Sequence, residues 1–299
     1  MKTPKTTSKR ILVLEPAGTF GHAAGMEYAN QQGLNPEFIF AKTNLAMCQA
    51  LAKDEADLAI VPLENNIAGL VPDWLLWCAV ELQHGSPRTE IIDELVSAIS
   101  QTLMVKKGVS RADIRTVVSH ERALKQCTKL QSALPQIKVI ETSSTAEAAR
   151  LVSLSTIEDG LAAIAGIGAA MLYDLEVLRE GVEDNPGNIT RFAIIKSSSD
   201  ETSNALRRTY LKPGVNRVIA VFDLPHEVGA LHKVTGTLLE YGANMTSLGI
   251  LPRGQAKRYS YSFYLEYEIN RTRAEDSIHA LRTATGHLVV LGNFPAARD

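Results

Sequence analysis

Short apolar runs recur along the first two thirds of the chain at a spacing that suits strands. Ile11–Leu14, Leu58–Val61, Thr116–Val118, Ile137–Ile140, Ala162–Ala165 and Phe192–Ile195 are mostly bounded by polar or turn-forming residues. Longer stretches with helical character lie between them, among them Thr43–Lys53, Glu121–Ser132 and Ser144–Ser153. Strands alternating with helices predict an α/β domain built on a mostly parallel sheet. Asp54–Asp57 marks a boundary ahead of the Leu58 strand, and Ser144 followed by Glu147 reads as a capping box.

The last third has another rhythm. Val218–Leu224 predicts a strand, Val228–Leu231 opens a helix that runs to Tyr241, and Asn244–Ile250 and Ser260–Glu268 predict two more strands. A helix over Ala274–Thr285 and a strand over Leu288–Leu291 complete the order β-α-β-β-α-β, the ferredoxin-like plait. Such small domains often pair across sheet edges or helices, so this one is the candidate oligomerisation and effector module. The polar run Ser197–Asn204 and the turn residues Lys212–Gly214 read as a linker. The expected division is a domain over 10–196, a linker over 197–216 and a second domain over 217–299.

Composition narrows the function classes. The 299 residues are 45% hydrophobic and 21% charged, as in an ordinary globular protein of two domains, which excludes a fibre or a disordered chain. No apolar run reaches the ~18 residues of a membrane helix. Lys and Arg number 31 against 33 Asp and Glu, a net charge of −2, so the basic surplus of a nucleic-acid binder is missing. The basic, Thr-, Ser- and Lys-rich segment Met1–Arg10 leads into only four apolar residues, too few for the ~7–15 of a signal peptide. Cys48, Cys78 and Cys127 form no close pair and read as buried thiols of a reducing compartment. A cytoplasmic protein is expected.

Four segments carry candidate chemistry. Pro16–Ala24 follows a strand and precedes a helix; Gly18 permits a turn, Thr19 can cap, and the helix start could face an anion, although a plain strand-to-helix turn fits as well. Val61–Gly69 places Glu64, Asn65 and Asn66 at a strand's carboxyl end, where open α/β sheets hold ligands, or simply in a loop with Asn turns. In Ser119–Cys127, Ser119 can cap the next helix and Gln126 falls two turns later on a similar face. Glu183–Phe192 brings Thr190 and Arg191 to a strand start, a hydroxyl donor beside a guanidinium able to hold a carboxylate or a surface ion pair. No dinucleotide loop, phosphate loop, nucleophile elbow or His-Glu-x-x-His is present, and nothing spaces His22 or His120 as metal ligands. No cofactor is indicated.

Taken together, Pro16-Ala-Gly-Thr-Phe20, Val61-Pro-Leu-Glu-Asn65, Ser119–Cys127 and Asn188-Ile-Thr-Arg-Phe192 resemble prephenate dehydratases, as do Ser143–Ala149, Ala162–Ala165 and Ala169–Leu175. Gly229-Ala-Leu231, Asn244 and Leu291–Pro295 resemble the family's ACT regulatory domain. The resemblance implies a two-lobed catalytic domain like type II periplasmic binding proteins, acting in its cleft on prephenate. There Thr190 would donate to the leaving hydroxyl, with Glu64, Asn65, Ser119 and Gln126 as further catalytic residues. Thr19, Phe20, Asn66, Arg191 and Phe192 would contact the substrate. It also implies a homodimer or homotetramer and an amino-acid effector site at Gly229, Ala230, Leu231 and Asn244. Three departures stand out: Gly21 and Asn66 replace serines, and Gly249-Ile-Leu-Pro252 replaces Glu-Ser-Arg-Pro. Weak or absent inhibition by phenylalanine is therefore expected. Arogenate dehydration, prephenate decarboxylation without water loss, and a non-catalytic sensor remain alternatives.

Overall fold

The computed structural model describes residues 8–134, 136–199, 211–251 and 261–297. Two lobes and a C-terminal domain each form around their own sheet. The first lobe has the strand order β2 (Asn35–Ala41), β1 (Ser8–Leu14), β3 (Leu58–Asn65), β11 (Ile189–Ser197), β5 (Thr89–Ala98), and the short β4 (Gly69–Leu70) pairs with the end of β3. The second is ordered β10 (Leu175–Arg179), β6 (Thr102–Lys106), β9 (Leu161–Ala165), β7 (Thr116–Ser119), β8 (Lys138–Glu141).

Both sheets are mixed, where a mostly parallel one was expected. β1 runs parallel to β2 and β3, while β11 is antiparallel to β3 and β5. β7 is parallel to β8 and β9, while β6 and β10 run against them. The reason lies in the chain path. It enters the second lobe directly from β5 and returns directly into β11, so these strands lack the helical crossover that parallel pairing requires. The two crossings are tied together, the Ile99 N–H donating to the Asn188 carbonyl at 2.8 Å and the Val182 N–H to the Gln101 carbonyl at 3.0 Å.

Helices cover these sheets: α1 (Phe20–Gln32), α2 (Asn44–Leu51) and α3 (Pro72–His84) on the first lobe, and α4 (Glu121–Lys125), α5 (Thr128–Ser132), α6 (Thr145–Leu154) and α7 (Ile167–Leu172) on the second. The single helix expected over Glu121–Ser132 is two. Asp184 reaches in from the returning chain and accepts from the backbone N–H groups of Thr128 and Lys129, both at 2.9 Å, starting α5 afresh. The expected capping box at α6 is half formed. Ser144 Oγ accepts from the Glu147 N–H at 3.0 Å, but the Glu147 carboxylate turns away to Arg150.

The C-terminal domain is an antiparallel sheet in the order β13 (Asn244–Ile250), β14 (Tyr261–Asn270), β12 (Leu211–Leu224), β15 (His287–Ala297), with α8 (Ala230–Glu240) and α9 (Ala274–Ala284) packed together on one face. This is the expected plait. β12 already includes Lys212–Gly214, and residues 200–210 of the expected linker lie outside the described residues. The sheet's other face joins the first lobe. Trp74, Trp77 and Leu82 of α3 share one core with Ile219, Val221, Tyr264, Leu291 and Phe294. Trp74 meets the Tyr264 ring edge-on at 6.2 Å. Burial of those aromatic surfaces fastens the two units far more firmly than a tether would.

Candidate active site

Asn65 organises the centre of the site. It is the last residue of β3, and its Oδ1 accepts from the backbone N–H groups of Ile67 (3.1 Å) and Ala68 (3.0 Å), an Asx turn that opens the loop to β4. That contact fixes which end of the amide is oxygen. Its Nδ2 therefore faces β11 and donates to Asn188 Oδ1 at 2.5 Å, the Ile189 carbonyl at 3.0 Å and Thr190 Oγ1 at 3.1 Å. Asn188 passes the chain on: its Nδ2 donates to Gln126 Oε1 at 3.2 Å, on the second lobe. A line of side-chain amides thus spans the hinge, from Asn65 through Asn188 to Gln126. Asn188, buried and inside the Asn-x-Thr-Arg-Phe segment, is a site residue beyond those expected from the sequence. Its position two residues before Thr190, at a forced lobe crossing, was the available signal.

Strand register sorts the remaining candidates. Thr190 lies opposite Asn65, and Arg191 opposite Glu64. Directly opposed residues share a face and successive residues alternate, so Glu64 and Arg191 pair on the reverse side of the strand pair that carries Asn65 and Thr190. The Arg191 guanidinium is 2.9 Å from Glu64, 3.1 Å from Glu94 and 2.7 Å from Glu266. Burial disfavours its charge, yet Glu266 and Glu94 outweigh that and raise its pKa further. This differs from the expectation of a guanidinium open to a substrate carboxylate, because three carboxylates already occupy it. Phe192 likewise departs from its expected substrate contact, being buried in the first-lobe core with Ile11, Val13 and Tyr28.

Asn66 does work a serine could not. Its Nδ2 donates to the Gly187 carbonyl and its Oδ1 accepts from the Ile189 N–H, both at 2.9 Å, clamping the returning loop to the end of β3. On the first loop, Thr19 caps α1, accepting from the His22 N–H at 3.2 Å while its hydroxyl donates to the Leu14 carbonyl at 3.1 Å. Phe20 reaches toward the second lobe, where a Cβ on Gly166 would come within 2.9 Å of its ring. The Tyr173 hydroxyl closes the same seam by donating to the Ala17 carbonyl at 2.8 Å.

Ser119 is not the expected helix cap. It ends β7 fully buried and donates to the Ile164 carbonyl at 2.6 Å, and His120 caps α4 instead. A recess of about 550 Å³ opens elsewhere between the lobes, lined by Glu15, Pro16, Ala17, Phe40 and Lys42 on one side and Ser143, Ser144 and Glu147 on the other. Its lining includes none of Thr190, Asn65 or Gln126. Among the described residues, no group of three or more His, Cys, Asp or Glu is placed to hold a metal ion.

Residues 11–200 match the family model for prephenate dehydratase. The chain belongs to that family. It is 30% identical over 293 residues to a bifunctional chorismate mutase/prephenate dehydratase of Aquifex aeolicus, covering 96% of this chain and 74% of the relative. A prephenate dehydratase from Arthrobacter aurescens, solved in complex with L-Phe, is similar in structure with a TM-score of 0.78 at 26% identity, over 97% of this chain and 90% of that one. A quorum-quenching acylase, GqqA, is similar with a TM-score of 0.79 at 25% identity, over 97% and 98%. Prephenate dehydratases are carbon–oxygen lyases, and the expected two-lobed architecture with an added C-terminal sheet domain is the one this family member has.

Proposed function

We propose that this protein is a prephenate dehydratase, converting prephenate to phenylpyruvate, carbon dioxide and water. The observation that carries the reading is the donor state of Thr190. Its Oγ1 accepts from Asn65, and among the described residues nothing takes its own hydrogen. That hydrogen is free for the hydroxyl leaving the substrate ring. As the ring carboxylate departs as carbon dioxide, its bonding electrons enter the ring and expel hydroxide, and aromatisation drives both cleavages. A donor already in place needs no reorganisation as charge develops on oxygen, an effect worth roughly 3–4 kcal/mol. The amides of Asn65, Asn188 and Gln126 hold that donor and the hinge together, and the α1 start capped by Thr19 supplies a partial positive charge for a carboxylate.

The acylase likeness is less well supported by the geometry. An acyl-transfer nucleophile needs an adjacent base. The Ser119 hydroxyl is spent on a backbone carbonyl, and Thr190 Oγ1 receives a proton donor where a base is required.

A cytoplasmic location and pairing of copies through the C-terminal domain belong to the same proposal. The thiols of Cys48, Cys78 and Cys127 are free and buried, and burial pushes the Cys127 thiol up to about 12. The edge strand β13 leaves Met245, Leu248 and Ile250 exposed.

The test is proton NMR of purified protein mixed with prephenate, and separately with arogenate. Aromatic ring signals of phenylpyruvate establish the reaction. Non-aromatic dihydro products would mean decarboxylation without water loss, and turnover of arogenate alone would move the substrate to the amino analogue.

A further inference from the structure

A buried ion cluster backs the strand pair that carries Asn65 and Thr190. Arg191 bridges Glu64 on β3, Glu94 on β5 and Glu266 on β14, so one guanidinium joins the first lobe to the C-terminal sheet. Arg217 on β12 meets the same Glu94 at 3.1 Å and Glu266 at 2.8 Å, and reaches Glu268 at 2.6 Å. The Tyr264 hydroxyl donates to the second oxygen of Glu266 at 2.8 Å, and the Ala297 N–H to the second oxygen of Glu94 at 3.3 Å. Glu94 and Glu266 are almost wholly buried, and around Glu266 burial is outweighed by the attraction of Arg191 and Arg217, which holds its pKa below the usual carboxylate value.

The C-terminal sheet also touches the β3–β4 hairpin directly. A Cβ on Gly249 of β13 would lie 3.3 Å from Leu70 and 3.8 Å from Leu75, and Leu70 is the cross-strand partner of Glu64. Leu251 is buried in the shared core. Gly249 and Leu251, in the segment that replaces the family's charged motif, therefore pack as an apolar brace against the catalytic hairpin.

We propose that Arg191 is a positioning residue: clamped by Glu94 and Glu266, it holds Glu64, and through the strand pair sets the register of Asn65 and Thr190 on the opposite face. The C-terminal sheet is then a fixed wall of the catalytic site. The kinetic arm of this proposal rests on the dehydratase reading; its exchange arm does not.

The experiment uses the full chain with Glu266→Gln, and a second variant, Arg217→Met with Glu266→Leu, which removes one cation and one carboxylate together. In variants with unchanged circular dichroism, kcat falls about tenfold, as expected for residues coupled through one network. KM moves by less than about twofold, because the loss is of a transition-state contact. Placed on Thr190→Val, Glu266→Gln has no further effect on residual turnover. Full additivity of the two changes would overturn the proposal and leave the cluster a purely structural joint. Hydrogen exchange supplies the independent arm: the Ile67 and Ala68 amides, which report Asn65, exchange faster in either cluster variant. Unchanged exchange there overturns the positioning role whatever the enzyme's substrate, whereas wild-type protein that leaves prephenate intact overturns only the dehydratase reading.

Discussion

Asn65 Nδ2 lies 3.1 Å from Thr190 Oγ1, and the direction of that hydrogen bond is set from the far end of Asn65, where two backbone N–H groups claim its oxygen. Thr190 must therefore accept from Asn65 and can donate only elsewhere. Thr190→Ser keeps the donor and should retain most turnover, whereas Thr190→Val removes it at nearly constant volume. Loss of one well-placed donor costs about 10²–10³ in kcat. Stopped assays on prephenate, with thermal melts confirming equal folding, check the pair. Equal activity in Thr190→Val and wild type would remove Thr190 from the chemistry.

Gly21 and Asn66, the two positions where serines were expected, differ in what they now do. A Cβ on Gly21 would meet only Thr19 Oγ1 at 3.9 Å and Phe192 Cε1 at 4.0 Å, so Gly21→Ser fits without displacement and should change stability by no more than about 0.5 kcal/mol. Asn66→Ser deletes two hydrogen bonds that hold the 187–189 loop, a loss of about 1–2 kcal/mol. Urea unfolding of the two variants separates them. A neutral Asn66→Ser would show that the clamp contributes nothing to the fold.

Local signals made the helix caps and the C-terminal plait legible in the sequence. Thr19 and Ser144 cap as expected, and Asn244–Ile250 is the strand it was expected to be. What escaped was whatever depends on distant partners. β5 carries Asp93 and Glu94, charges that break a strand-like apolar pattern, and Glu94 is tolerable inside only because Arg191 and Arg217 converge on it from elsewhere in the chain. The same non-local pairing turned Arg191 from an apparent substrate ligand into part of an internal cluster. Ser119 looked like a cap for the same reason, since its acceptor on β9 is 45 residues away in sequence.

Phenylalanine should bind weakly or not at all. Gly229 retains the left-handed turn at the start of α8, with φ of 81°, and Ala230 is buried behind it. β13 ends in Gly249 and Ile250 and is followed by the buried Leu251, none of which carries a polar side chain to pair with an amino or carboxylate group. Pro252 lies outside the described residues. Isothermal calorimetry with L-phenylalanine should give no micromolar binding isotherm, and turnover should be insensitive to millimolar phenylalanine. A micromolar Kd would restore an effector site to this domain.

His22 predicts acid sensitivity of the first loop. The Gly18 N–H donates to its Nδ1 at 3.1 Å, a bond that requires the neutral ring, and burial lowers its pKa from 6.5. An unfolded chain takes up the proton near 6.5, whereas the folded one does so only at lower pH. Between those values the unfolded state holds more protons, so this contribution to stability is full above 6.5 and is lost as pH falls through the folded value. Replacement by Asn keeps an acceptor for Gly18 and removes the titration. Melting temperatures of wild type and His22→Asn should run parallel above neutral pH and diverge below it, with the wild type falling faster. Parallel curves throughout would show that His22 titrates alike in both states.

At Gly292 the backbone of the C-terminal domain packs tightly against the first lobe. A Cβ there would stand 2.7 Å from the Ile91 carbonyl oxygen and 2.9 Å from Ile91 Cβ, distances no side chain can hold without moving β15 away from β5. The obstacle is largely backbone, so rotamer changes cannot relieve it. Gly292→Ala should therefore cost about 1–3 kcal/mol, the range for overpacking a filled core. Because β15 and β5 frame Glu94 and the ion cluster, the damage should extend beyond stability. A low-temperature kinetic measurement, with the variant fully folded, should still show reduced kcat, and hydrogen exchange should rise along β5. If Gly292→Ala lowers the melting temperature yet leaves kcat at the wild-type value, the junction bears load without shaping the site.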